Sequence, residues 1–192
     1  ACLAHFPGLK VVIPSTPYDA KGLLKTAIRD DNPVMFLEQK TLYRTKGMVP
    51  EGEYSIPLGQ ADIKLAGSDC TVVTYGRMVN TCLTAAQELE KDGVRLEVID
   101  IRSLVPLDTQ TILESVKKTG YLIIADTGWR TGGIAAEIAA SVYESAFNVL
   151  KAPIERVTLP DLPTPAAYTL EDAYYATQED IIKAVHRVMG RK

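Results

Sequence analysis

Short uninterrupted apolar runs alternate along this chain with longer segments whose apolar residues recur every three or four positions. Lys10 to Pro14 (KVVIP) is a run of the first kind, which predicts a strand buried on both faces. Thr16-Pro17-Tyr18-Asp19 then predicts a helix start, with Thr as the capping residue, Pro at the first helical position and Asp in the first turn. Ala20, Leu23, Leu24, Ala27 and Ile28 follow at spacings that place them on one helix face. Asp30-Asp31-Asn32-Pro33 ends that helix, because the residue before proline resists the α region. Val34 to Leu37 returns to a strand, so this part reads as a βαβ unit.

From Tyr43 to about Gly67 the pattern dissolves into Gly, Pro and short extended pieces, which reads as a segment crossing between domains. A second series follows. Its strands are expected at Thr71–Tyr75, Leu96–Ile101, Tyr121–Ala125 and Ile154–Leu159, and its helices at Asn80–Asp92, Asp108–Lys118, Gly132–Lys151 and Thr177–Met189. Thr177 caps the last helix with Asp180 three residues on, and Ile181, Val185, Val188 and Met189 form its face. The segment between Pro160 and Ala176 is too rich in proline for a regular element and is expected to wrap over the surface. This alternation predicts an α/β fold of mainly parallel sheets with helices on both faces. The division is 1–50, 51–65 as linker, and 66–192. There is no internal repeat and no low-complexity tract.

Composition narrows the functional classes. Of 192 residues, 46% are hydrophobic and 23% charged, with a formal net charge of −3, so a packed core is expected. The basic residues are dispersed, which argues against nucleic acid or a membrane as partner. No apolar run approaches the roughly 18 residues of a membrane span. Cys2, Cys70 and Cys82 form no CxxC pair and leave an odd count, which points away from disulfide or zinc frameworks and towards a reducing compartment. The opening ACLAHFPG has neither an initiator Met nor a signal peptide's basic region, so it reads as an interior segment with more sequence upstream.

No complete catalytic constellation is visible, and with two histidines a multi-histidine metal site is excluded. His5 lies before Pro7-Gly8 and the first strand; it is either an exposed loop histidine, which the local sequence favours, or a proton donor and acceptor. His186, beside Arg187 on the last helix, is expected to face solvent. The turn Ala27-Ile28-Arg29-Asp30-Asp31-Asn32 gathers helix-end carbonyls and side-chain oxygens, the hard ligands of a cation, though a plain helix stop explains it more simply. Thr127-Gly128-Trp129-Arg130-Thr131-Gly132-Gly133 follows a strand and opens a helix. It would suit an anion or serve as a tight packing turn, and Trp129 with Arg130 could anchor an interface. Tyr168, Tyr174 and Tyr175 are packing or docking surface.

Taken together, the run His5-Phe6-Pro7-Gly8-Leu9-Lys10-Val11-Val12-Ile13-Pro14, then PSTPYDAKGLL from Pro14 to Leu24, then Ala27-Ile28-Arg29-Asp30 with Asn32-Pro33, resembles a known family. It is the β subunit of the decarboxylating, thiamine-diphosphate-dependent component of 2-oxo acid dehydrogenase complexes, the pyruvate, branched-chain and acetoin dehydrogenase type. The similarity continues through Val98–Asp108, Arg130–Gly133 with Ala136-Glu137-Ile138, and Pro160–Pro165, and covers nearly the whole chain.

The resemblance implies the end of a pyrimidine-binding domain followed by a transketolase-type C-terminal domain. It implies that His5 lies in the active-site channel and handles protons there. It places a structural potassium ion at Ala27, Ile28, Asp30 and Asn32. Thiamine diphosphate and Mg would be held with an α subunit, whose GDG-type motif nothing here resembles, and with a β segment upstream of Ala1 that carries the family's activating glutamate. The expected partners are that α subunit in an α2β2 heterotetramer, a lipoyl acyltransferase core and a 2-oxo acid. The location would be the cytoplasm of a prokaryote or the mitochondrial matrix of a eukaryote. Asp126-Thr127-Gly128-Trp129 departs from the more acidic stretch of the family. Two other readings stand beside this one: a non-catalytic assembly module, and a transketolase or deoxyxylulose-phosphate synthase fragment, for which the expected sugar-phosphate His and Arg residues are not supplied.

Overall fold

The computed structural model describes residues 1–191. Two sheets share one body. In the first, β1 (Lys10–Val12) pairs parallel with β2 (Val34–Phe36) through α1 (Pro17–Arg29), the βαβ unit expected from the apolar pattern. Thr16 caps α1, its hydroxyl accepting from the Asp19 amide at 3.1 Å, and Pro17 stands at the first position.

The helix face differs from the one expected. Leu23 is buried with Asp19 and Gly22, while Leu24 is 43% and Ile28 74% exposed. The inward side is set by the segment that crosses the helix. The Ile56 amide donates to the Gly22 carbonyl at 3.2 Å, and the Thr26 hydroxyl donates to the Ile56 carbonyl at 2.7 Å. A Cβ on Gly22 would lie 2.6 Å from the Ile56 side chain, so glycine is what permits this approach.

The second sheet has the order β3-β5-β4-β7-β8, with β3 at Asp62–Leu65, β4 at Cys70–Thr74, β5 at Leu96–Asp100, β7 at Leu122–Trp129 and β8 at Glu155–Leu159. All neighbours run parallel except β3, which is antiparallel to β5. The segment read as linker therefore closes with an edge strand. Around the sheet lie α2 (Met78–Lys91), α3 (Thr109–Thr119), α4 (Ile134–Ala146), α5 (Tyr168–Tyr174) and α6 (Gln178–Met189). α5 corrects the expectation that the Pro-rich stretch holds no regular element, since its last seven residues before Tyr175 contain no proline and close one short helix. Neighbouring residues of the central strands point to opposite faces, as a pleated sheet requires. Val72, Val98 and Ile123 pack with Cys82, Leu89, Ile181 and Val185 of α2 and α6, whereas Val73, Ile99 and Ile124 pack with Ile112, Val116, Ile138 and Val142 of α3 and α4. Val11 and Ile13 of the first unit belong to this second cluster, so one core runs through both sheets.

A further strand, β6 (Ser103–Val105), is missing from the sequence reading. It leaves the end of β5 and runs antiparallel to β1 in the first sheet, giving the order β2-β1-β6. Between β5 and β6 the chain turns at Arg102 in the left-handed region, φ 52°, unusual for a residue with a Cβ. His186, expected to face solvent, is half-buried on α6 between the core positions Val185 and Val188. Among the described residues no helix is long and apolar enough to cross a membrane.

Candidate functional site

The Arg102 turn gathers a cluster of three carboxylates and two cations. Its guanidinium meets Asp19 Oδ1 of α1 at 3.1 Å and donates to the Gln60 carbonyl at 2.9 and 3.1 Å. From β3, Lys64 Nζ reaches Asp19 Oδ2 at 2.8 Å, Asp62 at 2.7 Å and Asp100 at 3.8 Å. Asp19 and Asp100 are fully buried and Arg102 nearly so. Burial pushes the Asp19 carboxyl up, but hydrogen bonds from Lys64, Thr16 and Arg102 outweigh it and hold the group below its ordinary value. Asp100 goes the other way. Burial pushes it up to about 7, against the opposing hydrogen bond from Ser15. Removing one partner from a buried pair of this kind costs about 3–5 kcal/mol, because the other charge stays behind without compensation.

Beyond Arg102, β6 forms one wall of a cleft of about 640 Å3. Leu104 and Val105 line it with His5, Thr109, and Gly132, Gly133, Ile134 and Glu137 at the start of α4. His5 ends a single helical turn (Leu3–His5) and is exposed, with its ring 6.2 Å from that of Phe6 in an edge-on arrangement. The fold thus brings together two stretches that the sequence offered separately, His5 and the glycines before α4. An open imidazole can take or give a proton, and the free amides of a helix start favour negative charge near it. Glu137, in the first turn of α4, adds a carboxylate that sequence reasoning did not single out.

The glycine turn itself is held from within. The Thr131 amide donates to Asp161 Oδ1 at 2.9 Å and its hydroxyl to Oδ2 at 2.6 Å, which favours the packing-turn reading over an anion site at Thr131. Trp129 remains half exposed, yet its indole donates to the Leu162 carbonyl at 3.0 Å and to Tyr174 Oη at 2.7 Å, so it staples the Pro-rich segment to the sheet. Behind the turn Asp126 is buried. The Tyr75 hydroxyl and the Gly128 amide donate to its Oδ1, while Oδ2 has no partner among the described residues. Burial, and then the Asp126 charge, push the Tyr75 phenol well up, so it stays a neutral donor. Cys70 and Cys82 are also pushed up by burial, each to about 12, which leaves them without nucleophilic character.

At the end of α1, the Asp30 carboxylate accepts from Lys10 Nζ at 2.5 Å and from the Asn32 amide and side chain, both at 2.9 Å. These bonds, led by Lys10, lower Asp30 to about 2. An ammonium already sits on this carboxylate, so the oxygens left for a cation include the main-chain carbonyls of Ala27 and Ile28 and the side-chain oxygen of Asn32. Ile28 is exposed and Asn32 lies at the surface. Among the described residues, no three His, Cys, Asp or Glu side chains converge as metal ligands.

Residues 59–181 match the family described as transketolase, C-terminal domain, and residues 1–46 match the transketolase pyrimidine binding domain. The chain is 50% identical over 185 residues to the β subunit of acetoin:2,6-dichlorophenolindophenol oxidoreductase of Cupriavidus necator, a match covering 96% of this chain and 55% of that protein. It is 47% identical over 188 residues to the pyruvate dehydrogenase E1 β subunit of Bacillus subtilis, covering 97% and 58%. It is likewise 47% identical over 192 residues to the 2-oxoisovalerate dehydrogenase β subunit of the same organism, covering 99% and 58%. This chain therefore spans little more than half the length of these relatives. A solved split-gene transketolase, described as an inactive β4 tetramer, superposes with a TM-score of 0.82 at 25% identity, covering 99% of this chain and 60% of that one.

The Lys10–Asp30 contact makes a direct prediction. Because the folded-state value lies below that of an unfolded Asp, the contribution is present above pH about 4 and is lost as pH falls through about 2. In a carboxyl-carbon NMR titration, Asp30 should show a midpoint near 2 that moves up towards 3.8 in Lys10→Met. An unmoved midpoint would show that Lys10 does not hold it.

Proposed function

The chain belongs to the transketolase C-terminal domain family, and we propose that it serves as the β subunit of a thiamine-diphosphate-dependent 2-oxo acid dehydrogenase. The observation that carries this reading is the open cleft at His5, bounded by the start of α4, within a chain of near-50% identity to three β subunits. Those three relatives bear the names of acetoin, pyruvate and 2-oxoisovalerate. The reaction is the oxidative decarboxylation of a 2-oxo acid, with the acyl group passed to a lipoyl arm.

Bound thiamine diphosphate supplies the electron sink for such chemistry. Among the described residues no three His, Cys, Asp or Glu side chains form a metal-ligand cluster; on this reading Mg and the diphosphate would be held with an α subunit. What this chain contributes is a wall of the cleft and a proton-handling group. An imidazole nitrogen of His5 takes or returns a proton at the oxygen or sulfur of the reacting groups. The amides at the start of α4 stabilise negative charge close by. The apolar side chains of Leu104, Val105 and Ile134 limit water at the back of the cleft.

The same reading gives the chain an α subunit partner in an α2β2 assembly, contact with a lipoyl acyltransferase core, and a location in the cytoplasm or the mitochondrial matrix. Potassium would be held at the end of α1 by oxygens of Ala27, Ile28, Asp30 and Asn32. Carbonyl oxygens suit it, although Lys10 already neutralises the Asp30 carboxylate.

The deciding assay mixes the full-length protein with its α partner, thiamine diphosphate and Mg, and runs pyruvate, 2-oxoisovalerate and acetoin in parallel with an artificial electron acceptor. Turnover should require both chains and fall by about 10²- to 10⁴-fold in His5→Ala. A stable α–β complex that turns over none of the three would overturn the catalytic reading and leave a non-catalytic assembly module. For potassium, thermal melts at equal ionic strength should show a higher midpoint in KCl than in NaCl. Equal midpoints would remove the ion from the account.

A further inference from the structure

The charge cluster between α1 and the second sheet contains more carboxylates than cations. Asp19, Asp62 and Asp100 share Lys64 and Arg102. Asp62 is partly open to water, whereas Asp19 and Asp100 are wholly buried. Asp19 holds the better contacts, at 2.8 Å to Lys64 and 3.1 Å to Arg102. Asp100 has Lys64 only at 3.8 Å, and otherwise the Ser15 hydroxyl and the Arg102 amide at 3.1 Å. The Ser15 hydroxyl also lies 3.3 Å from Asp19 Oδ2, so the two buried carboxylates meet across a single serine. A full negative charge on Asp100 would face Asp19 at close range, with its nearest cation, Lys64 at 3.8 Å, already shared with Asp19 and Asp62.

We propose that Asp100 is a proton-operated latch, holding α1 against the second sheet while its carboxyl is protonated and loosening it once the carboxyl ionises. The latch lies where it can matter. Ser15 and Thr16 lead into α1, Arg102 leads into β6, and β6 pairs with β1 and walls the His5 cleft. The groups facing Asp100 are Ser15 and Asp19 from the α1 side, Lys64 and Asp62 from β3, and Arg102 from the turn. Asp108, at the cap of α3, faces Arg102 in turn. The side chains of Asp19 and Lys64 do not titrate in the same window. Asp19 is held below the ordinary carboxylate range and Lys64 above the ordinary amine range, in each case by their mutual contact working against burial.

The direction follows from the folded carboxyl of Asp100, which keeps its proton up to about 7, while an exposed one releases it near 3.8. The stability it contributes is whole below 3.8 and is lost progressively as pH rises to about 7, then levels off. The test is hydrogen exchange of the full chain between pH 4 and 9, corrected for the intrinsic rate and read separately at α1 and α6. Opening of α1 should grow by up to about tenfold per pH unit between 4 and 7 and then plateau, while α6 stays flat. In Asp100→Asn the α1 profile should lose its slope. Equal slopes at α1 and α6, or the same α1 slope in Asp100→Asn, would overturn the latch. Should that variant fail to fold, the wild-type comparison of α1 with α6 decides alone.

Discussion

The buried contact between Arg102 and Asp19 is the constraint on which the rest of this architecture depends. A chain leaving the end of β5 in one sheet must turn sharply to enter the other sheet as β6, and it does so through a left-handed residue that is not glycine. Such a backbone persists only where the surroundings over-determine it. Here the guanidinium spans Asp19 and the carbonyls of Gln60 and Ala61, so that α1, the incoming segment and the turn are fixed by one side chain. Lys64 adds a second cation from β3.

Placing the turn also places the cleft. β6 carries Leu104 and Val105 from the Arg102 corner directly into its wall, and by pairing with β1 it sets where the preceding loop, with His5, can lie. The opposite wall belongs to α4, which is fixed to the second sheet through Ile138 and Val142. The geometry at His5 is thus governed by the relative position of the two sheets. Polar groups join the segment after β2 to the second sheet, among them the Gln39 side chain, which accepts from the Arg77 amide at 2.6 Å and donates to Thr127 at 3.3 Å.

Much of this was legible in the sequence because it is local. Apolar runs and helical spacing identify β1, α1, β2 and the later alternation, and the caps at Thr16 and Thr177 act within three residues of themselves. What escaped depends on distant partners. β3 and β6 are short strands whose character comes from pairing with β5 and β1 rather than from their own pattern. The apolar side chains of Leu24 and Ile28 followed helical spacing yet face outward, because the buried side of α1 is chosen by the crossing segment at Ile56. His5 and Gly132 are far apart in sequence, and no local signal announces that they share a cleft. For the turn into β6 the sequence does carry a local hint, Asp100-Ile101-Arg102, with opposite charges flanking an apolar position at the end of an apolar strand.

That the Arg102 corner positions the His5 cleft can be measured without reference to activity. With only two histidines, the imidazole resonances of His5 and His186 are readily told apart, and His186 on α6 serves as an internal control. Arg102→Gly keeps a residue at ease in the left-handed turn while removing the guanidinium. In the folded variant the His5 signals should shift and broaden while those of His186 stay in place. His5 signals identical to those of the wild type, in a protein that remains folded, would contradict it.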